Sequence, residues 1–393
     1  METTSIYLDH NATTPMDPRV LEAMLPYLRD KFGNASSKSH AWGWAANEAV
    51  EAARESVGVI LGAAAKDVLF TAGATEANNL AILGSFPLRS AGGKTHVITS
   101  AVEHHAVLDT VDELRRRGFE STVLRPDASG GVSAEQVRNA ITDRTLLVSL
   151  MAANNEIGTL NPLEEIGAVC RRAGVLFHTD AAQAVGKIPL DVEAMQIDLL
   201  SLSGHKFYAP KGVGALYVRS RPTRVKLTPL QHGGGQERGL RPGTLNVPGI
   251  VGLGAACRIA QEELGAEAAR LTSLRDRLYQ NITSRVQGTR RNGSPTAGLP
   301  GTLNLSFEGI DGTALFLSLP DIALSSGSAC TTGSAEPSYV LKAIGVSDRL
   351  AMSTVRFSLG RFTTEAEVDQ ASARVADAVL KLRSRLAAVS GAS

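Results

Sequence analysis

The sequence predicts an α/β protein in which a large domain, built on a mostly parallel sheet, is followed by a smaller α+β domain. Short apolar runs alternate with helical patterns through the first two thirds of the chain. The runs are continuously apolar rather than alternating, which is typical of strands buried on both faces of a parallel sheet. The candidate strands are 68–70, 96–99, 146–149, 175–178, 199–201 and 215–218.

The helix expected between the third and fourth of these strands has sequence signals at both ends. Asn161 is predicted to be its N-cap, with Pro162 in the first turn and Glu164 three residues after the cap. Gly174 is expected to end the helix. The apolar stripe of this helix places Cys170 in the core, since free cysteine is among the most buried residue types.

The pattern changes after about residue 260. A long helix with leucines at helical spacing over 264–282 is followed by a strand over 302–307. A last helix is predicted to begin at a capping box formed by Thr364 and Glu367. The division that follows is a large domain over 16–260 and a small domain made of 1–15 together with 261–393.

The composition excludes several classes of protein. Of the 393 residues 43% are hydrophobic, and the net charge of +1 argues against nucleic acid or an anionic membrane as partner. No apolar stretch reaches the length of a membrane-spanning helix, and the N-terminus lacks the features of a signal peptide. Cys170, Cys257 and Cys330 cannot form a disulfide framework and are too far apart for a metal site, so we expect a cytoplasmic protein without a bound metal.

Polar residues cluster where the apolar strands end, which is the edge at which open α/β sheets bind ligands. The clusters are 73–76, 103–105, 154–156, 180–183 and 203–206. Each has a structural alternative, because Thr75 and Asp180 could simply cap helices and His104 could be a surface or capping histidine. Their convergence on one edge predicts a binding cleft.

Lys206 is the hardest of these residues to explain structurally. It ends an apolar strand behind Ser203 and His205, where desolvation would lower the pKa of its amine and make it nucleophilic. Together with Asp180 it suggests pyridoxal phosphate (PLP), which needs a lysine for a Schiff base, an acid at its ring nitrogen and a phosphate cradle. The helix start at 73–75 offers backbone N–H groups for the cradle, and Ser203 and His205 offer side-chain donors.

Longer motifs then identify a family. They are His178-Thr-Asp-Ala-Ala-Gln-Ala184, Ser203-Gly-His-Lys206, Arg241-Pro-Gly-Thr244, Ser325-Ser-Gly-Ser-Ala-Cys330, and the segments 7–15 and 356–364. They resemble the PLP-dependent cysteine desulfurases of the NifS/IscS type, from about residue 6 to about residue 385. The motif ending in Cys330 is the most specific and resembles the branch with a longer catalytic-cysteine loop. The resemblance implies a type I PLP-enzyme (aspartate aminotransferase-like) fold and a homodimer.

The resemblance also implies which residues bind the ring of the cofactor. Lys206 would carry the Schiff base, Asp180 would bind the ring nitrogen and Gln183 the ring hydroxyl. His104 would stack on the ring and take part in acid–base chemistry. Asn155 would lie near both the ring and the substrate.

The remaining roles concern the phosphate and the substrate. The expected phosphate contacts are Ala74, Thr75, Ser203, His205 and, from the other subunit, Thr244. Arg356 would hold the substrate carboxylate, for which a guanidinium has suitable bidentate geometry. Cys330 would be the nucleophile that becomes a persulfide. The chain departs from the family at His10, where asparagine is common, and in a short tail that leaves the docking of a sulfur acceptor open.

The implied reaction converts L-cysteine to L-alanine and transfers sulfur to Cys330, then to an acceptor protein such as an iron–sulfur scaffold. An aminotransferase or a selenocysteine lyase on the same fold is a second possibility, although transamination needs no thiol. A third is a non-catalytic platform that binds sulfur-cluster proteins, against which the combination of Lys206, Asp180, His104 and Cys330 argues. Cys330 lies in a run of small residues that predicts a mobile loop, and composition alone also allows an incidental cysteine there.

Overall fold

The computed structural model describes residues 5–86, 93–222, 224–326 and 336–390. Its strands are β1 (Ile6–Tyr7), β2 (Val68–Thr71), β3 (His96–Ser100), β4 (Glu120–Leu124), β5 (Thr145–Ser149), β6 (Leu176–Asp180), β7 (Leu199–Ser203), β8 (Gly214–Val218), β9 (Thr289–Asn292), β10 (Thr302–Phe307), β11 (Ile322–Ala323) and β12 (Thr354–Ser358). The helices are α1 (Pro18–Arg29), α2 (Ala41–Leu61), α3 (Ala74–Ser85), α4 (His105–Arg116), α5 (Ala134–Ala140), α6 (Leu163–Ala173), α7 (Val247–Thr283), α8 (Gly312–Leu317), α9 (Tyr339–Ala343), α10 (Asp348–Met352) and α11 (Glu365–Ser390). None of the helices in these ranges is both long and apolar enough to cross a membrane.

The main sheet has seven strands in the order β2-β8-β7-β6-β5-β3-β4. All neighbours from β7 to β4 pair in parallel, whereas β8 is antiparallel to both β2 and β7. The sheet is therefore mostly parallel, as predicted, and it contains every strand predicted for this part of the chain. The edge strand β4 was not predicted, because most of its residues are not buried and it has no continuous apolar run.

The predicted N-cap of α6 is wrong. The helix begins at Leu163 after Pro162, and no described side chain caps it. Asn161 is buried and uses its amide elsewhere, with Oδ1 accepting from the backbone N–H of Val132 at 2.9 Å and Nδ2 donating to the carbonyl of Met151 at 2.8 Å. Satisfying these buried backbone groups takes precedence over capping. The other end agrees with the prediction, since Gly174 closes α6 with a φ of 63°.

Other local predictions are confirmed. The strand over 302–307 is present as β10, and the backbone N–H of Glu367 donates to Thr364 Oγ1 while the Glu367 carboxylate accepts from the backbone N–H of Thr364. Cys170 and Cys257 are fully buried, and burial raises the pKa of each thiol to about 12. Both cysteines are therefore inert packing residues.

Helix α7 extends through two hydrophobic cores. Its first half, with Leu253 and Cys257, packs with α2 and α6 against one face of the main sheet. Its second half, with Leu271 and Leu278, packs with α11 and the antiparallel sheet β12-β10-β9. The N-terminal Leu8 belongs to the second core. Because the predicted boundary near residue 260 falls inside this unbroken helix, the division into domains stays a prediction.

Candidate active site

A cavity of about 990 Å³ lies at the carboxyl ends of β6 and β7, between the main sheet and the N-terminal segment. Of the residues predicted for the site, those that line it are Ala74, Thr75, His104, Asn155, Asp180, Gln183, Ser203, His205, Lys206 and Arg356. The parallel strands bring their ends to one edge of the sheet, which is why clusters far apart in sequence meet there.

Lys206 is held by the N-terminal segment. It lies in a 3₁₀ turn over Gly204–Lys206 directly after β7. Its Nζ donates to the backbone carbonyls of Asn11 and Ala12, both at 2.8 Å. The amine is thereby directed into the cavity by contacts that the strand itself does not provide.

Asp180, the last residue of β6, is fixed by two hydrogen bonds. Its Oδ1 accepts from the backbone N–H of Ala182 at 2.9 Å, and its Oδ2 accepts from Asn78 Nδ2 at 2.7 Å. Asn78 lies on α3 and is fully buried. Sequence reasoning missed it, although it follows Thr75 by three residues and so lies on the same face of the helix.

The N-terminus of α3 forms an anion cradle. Gly73 precedes it with a φ of 154°, and a Cβ at this position would lie 3.3 Å from Ser203 Oγ. No described side chain caps the helix, so its first N–H groups are open to an anion. His205 lies beside them, and burial together with the charge of Lys206 lowers the pKa of its imidazole to about 4, so that it is neutral.

His104 both caps α4 and lines the cavity. Its Nδ1 accepts from the backbone N–H of Ala106 at 3.0 Å, which leaves the proton of the neutral ring on Nε2. Burial lowers the pKa of the imidazole, the charge of Asp180 opposes this shift, and the charge of Lys206 adds to it. His104 therefore caps α4, as the structural alternative proposed, and it also belongs to the site.

The opposite wall of the cavity carries Arg356, which lies buried in the middle of β12. Its Nη2 donates to Asp9 Oδ1 at 2.7 Å and its Nη1 to the carbonyl of Asn155 at 2.9 Å. The Nε of Arg356 and the Oδ1 of Asn155 are buried without a hydrogen-bond partner among the described residues. Buried polar groups normally have partners, so these two atoms indicate room for a polar ligand.

Asn11 connects the two walls, and sequence reasoning did not single it out. Its carbonyl accepts from Lys206 and from Gln183 Nε2, the latter at 2.8 Å. Its Nδ2 donates to the carbonyl of Asn155 at 3.2 Å and to Thr302 Oγ1 at 2.9 Å. The only sequence signal was its position inside the family-like segment 7–15.

His10, the departure from the family pattern, has a structural role. The ring is buried, and its Nδ1 lies 2.9 Å from the carbonyl of Ser358 in β12. Burial lowers the pKa of the imidazole to about 4, so the ring is neutral near pH 7. His10 thus ties the N-terminal segment to the strand that carries Arg356.

Two buried glutamates at the rim were also missed. Glu103 Oε1 accepts from the backbone N–H of Met151 at 2.8 Å, and burial raises the pKa of this carboxyl well above its usual value. Glu156 Oε2 accepts from Ser338 Oγ at 2.5 Å, and burial raises its pKa to about 7. Both sit in polar clusters that the sequence marked, but their burial depends on packing against the C-terminal part of the chain.

Among the predicted site residues that the structure describes, one does not line this cavity. Thr244 is exposed and does not line it. The segment before Thr244 is held by Glu237, whose carboxylate accepts from Arg54 at 2.7 and 2.8 Å and from the backbone N–H of Phe70 at 2.7 Å. Cys330 lies outside the described residues.

These residues fit the cofactor that the sequence suggested. A lysine amine, a carboxylate hydrogen-bonded to Asn78 of α3, and an uncapped helix N-terminus next to Ser203 are the three features that PLP requires. Asp180, oriented by Asn78, would hold the ring nitrogen. The first turn of α3 would hold the phosphate.

Comparison with known proteins agrees with this geometry. The family model described as Aminotransferase class-V matches residues 6–371. The chain is 55% identical to Cysteine desulfurase IscS of Anaeromyxobacter dehalogenans (strain 2CP-C), over 96% of this chain and 93% of the relative. It is 52% identical to Cysteine desulfurase IscS of Rickettsia rickettsii (strain Iowa), over 97% of this chain and 92% of the relative.

Solved structures are similar as well. A NifS-like protein superposes with a TM-score of 0.89 at 39% identity, covering 96% of this chain and 100% of its own. A structure described as SspA in complex with cysteine superposes with a TM-score of 0.81 at 43% identity, covering 92% of this chain and 100% of its own. The chain belongs to the class V aminotransferase family. The expected type I fold and the expected dependence on PLP are confirmed.

Proposed function

We propose that the chain is a cysteine desulfurase that converts L-cysteine to L-alanine and takes up the sulfur as a persulfide on Cys330. The observation that carries this is the meeting of Lys206, Asp180 and Arg356 in one cavity. The names of the similar proteins, which include a complex with cysteine, support the same activity. Bound PLP supplies an electron sink for the charge that develops at the substrate Cα.

Arg356 is proposed to select the substrate by its carboxylate. The guanidinium is buried, it has one N–H without a described partner, and the amide oxygen of Asn155 nearby is also unpartnered. A carboxylate would satisfy Nε, and the amino group of the same substrate would suit Asn155 Oδ1. The Asp9 carboxylate neutralises one side of Arg356, so the buried guanidinium is not an isolated charge.

Proton transfer is proposed to involve Lys206 and His104. Lys206 Nζ donates to the backbone carbonyls of Asn11 and Ala12, which hold the amine at the cavity. It is directed at the cavity, where it can remove and return a proton at the substrate Cα. His104 is neutral near pH 7 and carries its proton on Nε2. It can accept a proton from the Cys330 thiol only after the ring turns or loses the Nε2 proton. It is therefore better placed to donate a proton to the substrate carbon released when the Cβ–S bond breaks.

The proposed nucleophile, Cys330, lies four residues beyond Ser326, the last described residue before it. Ser325 pairs with Arg356 through the backbone, with the N–H of Arg356 donating to its carbonyl at 2.7 Å. The described end of this segment therefore lies beside Arg356 and the proposed substrate site. In the reaction, the substrate Cβ–S bond breaks, a Cys330 S–S bond forms, and the carbon takes up a proton.

The chain is proposed to form a homodimer because it has exposed aromatic side chains. The side chains of Phe32, Trp42 and Trp44 are 74%, 59% and 58% exposed. Large exposed apolar patches are typical of protein interfaces. The neighbouring residues 35–38 line a groove together with 235–238, in the segment expected to contribute Thr244 to a second subunit.

The sulfur acceptor is proposed to be a protein, such as an iron–sulfur scaffold, which would fit the IscS name of the relatives. The cytoplasmic location expected from the sequence likewise stays a prediction.

The test of this function is product analysis with the full-length holoenzyme. We expect alanine and sulfide in equal amounts from L-cysteine when an external thiol supplies the two electrons that release sulfide from the persulfide. Cys330→Ser should retain PLP and stop alanine formation, whereas Cys257→Ser serves as the matched buried control that keeps turnover. A keto acid in place of alanine would favour transamination, and undiminished alanine from Cys330→Ser would remove that residue from the mechanism.

A further inference from the structure

A second lysine lies behind the wall of the cavity. Lys187 does not line the cavity itself, but its Nζ donates to Gln183 Oε1 at 2.6 Å and to Asn11 Oδ1 at 3.3 Å. Its two described partners are both neutral amide oxygens. Neither the family-like motifs nor the roles assigned above use Lys187.

The contacts of Gln183 fix the direction of its amide. A lysine amine or ammonium that donates to Gln183 requires an acceptor, so the amide must turn its oxygen toward Lys187. The backbone carbonyl of Asn11 only accepts, so it requires the amide nitrogen, which lies 2.8 Å away. Two independent contacts therefore select the same orientation. One N–H of Gln183 Nε2 is used by Asn11, and the second has no partner among the described residues.

From this geometry we propose that Lys187 is a positioning residue that locks the Gln183 amide with its nitrogen toward the cavity, so that Gln183 offers the cofactor's ring oxygen a hydrogen-bond donor. The inference rests on the proposed role of Gln183 at the ring hydroxyl. Without Lys187 only the Asn11 contact favours this orientation, so the amide turns over more readily and can present its oxygen, which would repel an anionic ring oxygen.

The charge of Lys187 fits the same role. Burial, with the charges of Lys206 and Arg356, lowers the pKa of Lys187 to about 7, and Glu267 only partly offsets this. The ammonium form donates a stronger hydrogen bond to Gln183 Oε1 than the neutral amine does, because one partner is then charged. Lys187 therefore reaches the cofactor's ring oxygen through the Gln183 amide, and its removal should weaken cofactor binding by way of Gln183.

The test is a double-mutant cycle on full-length holoenzyme. PLP retention is measured by equilibrium dialysis for the parent, Lys187→Met, Gln183→Leu and the double variant, and the visible band of bound PLP is titrated with pH. Lys187→Met should weaken PLP binding by roughly tenfold, the equivalent of one lost charge-assisted hydrogen bond. It should also raise the pH midpoint of the visible band, because removing a cation or an N–H donor favours the protonated chromophore. Lys226→Met, at an exposed site, is the charge-matched control and should change neither quantity.

The decisive result is the interaction between the two sites. If Lys187 acts through Gln183, its replacement should have almost no further effect on PLP binding in the Gln183→Leu background. Additive losses would overturn the inference and leave Lys187 with a merely structural role. If Gln183→Leu alone binds PLP as the parent does, the proposed role of Gln183 fails first, and the inference with it. If Lys187→Met does not fold, Lys187→Gln takes its place in the same cycle. A visible PLP band with an unchanged pH midpoint in Lys187→Gln would then contradict the inference.

Discussion

The two walls of the cavity are built in different ways. The wall with Asp180, Gln183 and Lys206 comes from two neighbouring parallel strands and the turns that follow them. The opposite wall joins Asp9, Asn155 and Arg356, and its ion pair links residues 347 positions apart in the chain. The backbone of the first wall is set by strand geometry, with Asn11 and Ala12 adding contacts to its side chains, whereas the second wall exists only when the N-terminal segment is docked on β12. We therefore expect the first to control cofactor binding and the second to control substrate binding.

The strongest test of the cofactor wall is Lys206→Ala. Loss of the amine should lower turnover by roughly a thousandfold or more, since positioned proton transfer alone contributes about 10²–10⁴-fold. The visible band of bound PLP should disappear while the circular dichroism spectrum stays unchanged, because Lys206 lies in a short turn that lines the cavity rather than in a hydrophobic core. Lys226→Ala is the exposed control. Steady desulfuration by Lys206→Ala would contradict the assignment.

The substrate wall is tested by Arg356→Ala. A charge-assisted contact to a buried carboxylate is worth roughly 2–5 kcal/mol, which is at least about thirtyfold in kcat/KM for cysteine. PLP affinity should change little, because Arg356 lies on the other wall. Arg349→Ala, in an exposed position, is the control. If PLP affinity fell as much as kcat/KM, the separation of roles between the walls would be wrong.

A third contribution, from a second subunit, is tested by mixing. Lys206→Ala and Thr244→Asp subunits should each be nearly inactive, the second because its carboxylate would repel the cofactor phosphate. In a shared-site dimer, each hybrid has one site with both defects and one intact site. Random exchange should then restore about a quarter of the parental activity, since half of the dimers are hybrids. No recovery despite demonstrated exchange, or full activity of Thr244→Asp alone, would argue that each site belongs to a single chain.

The smallest expected effect concerns the docking of the N-terminal segment. The pKa of His10 is about 4 in the folded protein and about 6.5 when unfolded, so the unfolded chain binds more protons between these values. His10 therefore reduces stability as the pH falls below about 6.5, by roughly 1–2 kcal/mol at pH 5. Urea unfolding of the parent and His10→Asn at pH 7 and pH 5 measures this effect. The variant should lose less stability on acidification, and an equal loss would mean that His10 does not titrate as described.

The same contrast between the walls explains what the sequence could predict. Buried parallel strands carry continuous apolar runs, so the strands of the main sheet and the polar ends that hold Asp180 and Lys206 were recognisable from local pattern. The edge strand β4 has no such run. Asn161 looked like a cap, but a buried backbone group from another part of the chain took its amide.

The second wall was predicted only by resemblance, and so were the contacts that distant elements make with the first wall. Nothing local in the sequence indicates that Asn11 meets Lys206, or that Asn78 meets Asp180, because these contacts depend on how distant elements pack. Lys187 is the clearest case. It lies four residues after Gln183, yet its importance follows from where the amide points, which is a property of the folded chain.

The continuous helix α7 has a consequence for how the protein comes apart. Its 37 residues span about 55 Å, and each half supplies side chains to a different core. Because the two halves form one unbroken helix, the loss of either core leaves that helix without half of its packing, so the unfolding of the two cores is coupled. Heat or denaturant should therefore produce a single cooperative transition, in which the cavity is lost all at once rather than by the gradual separation of two independently stable halves.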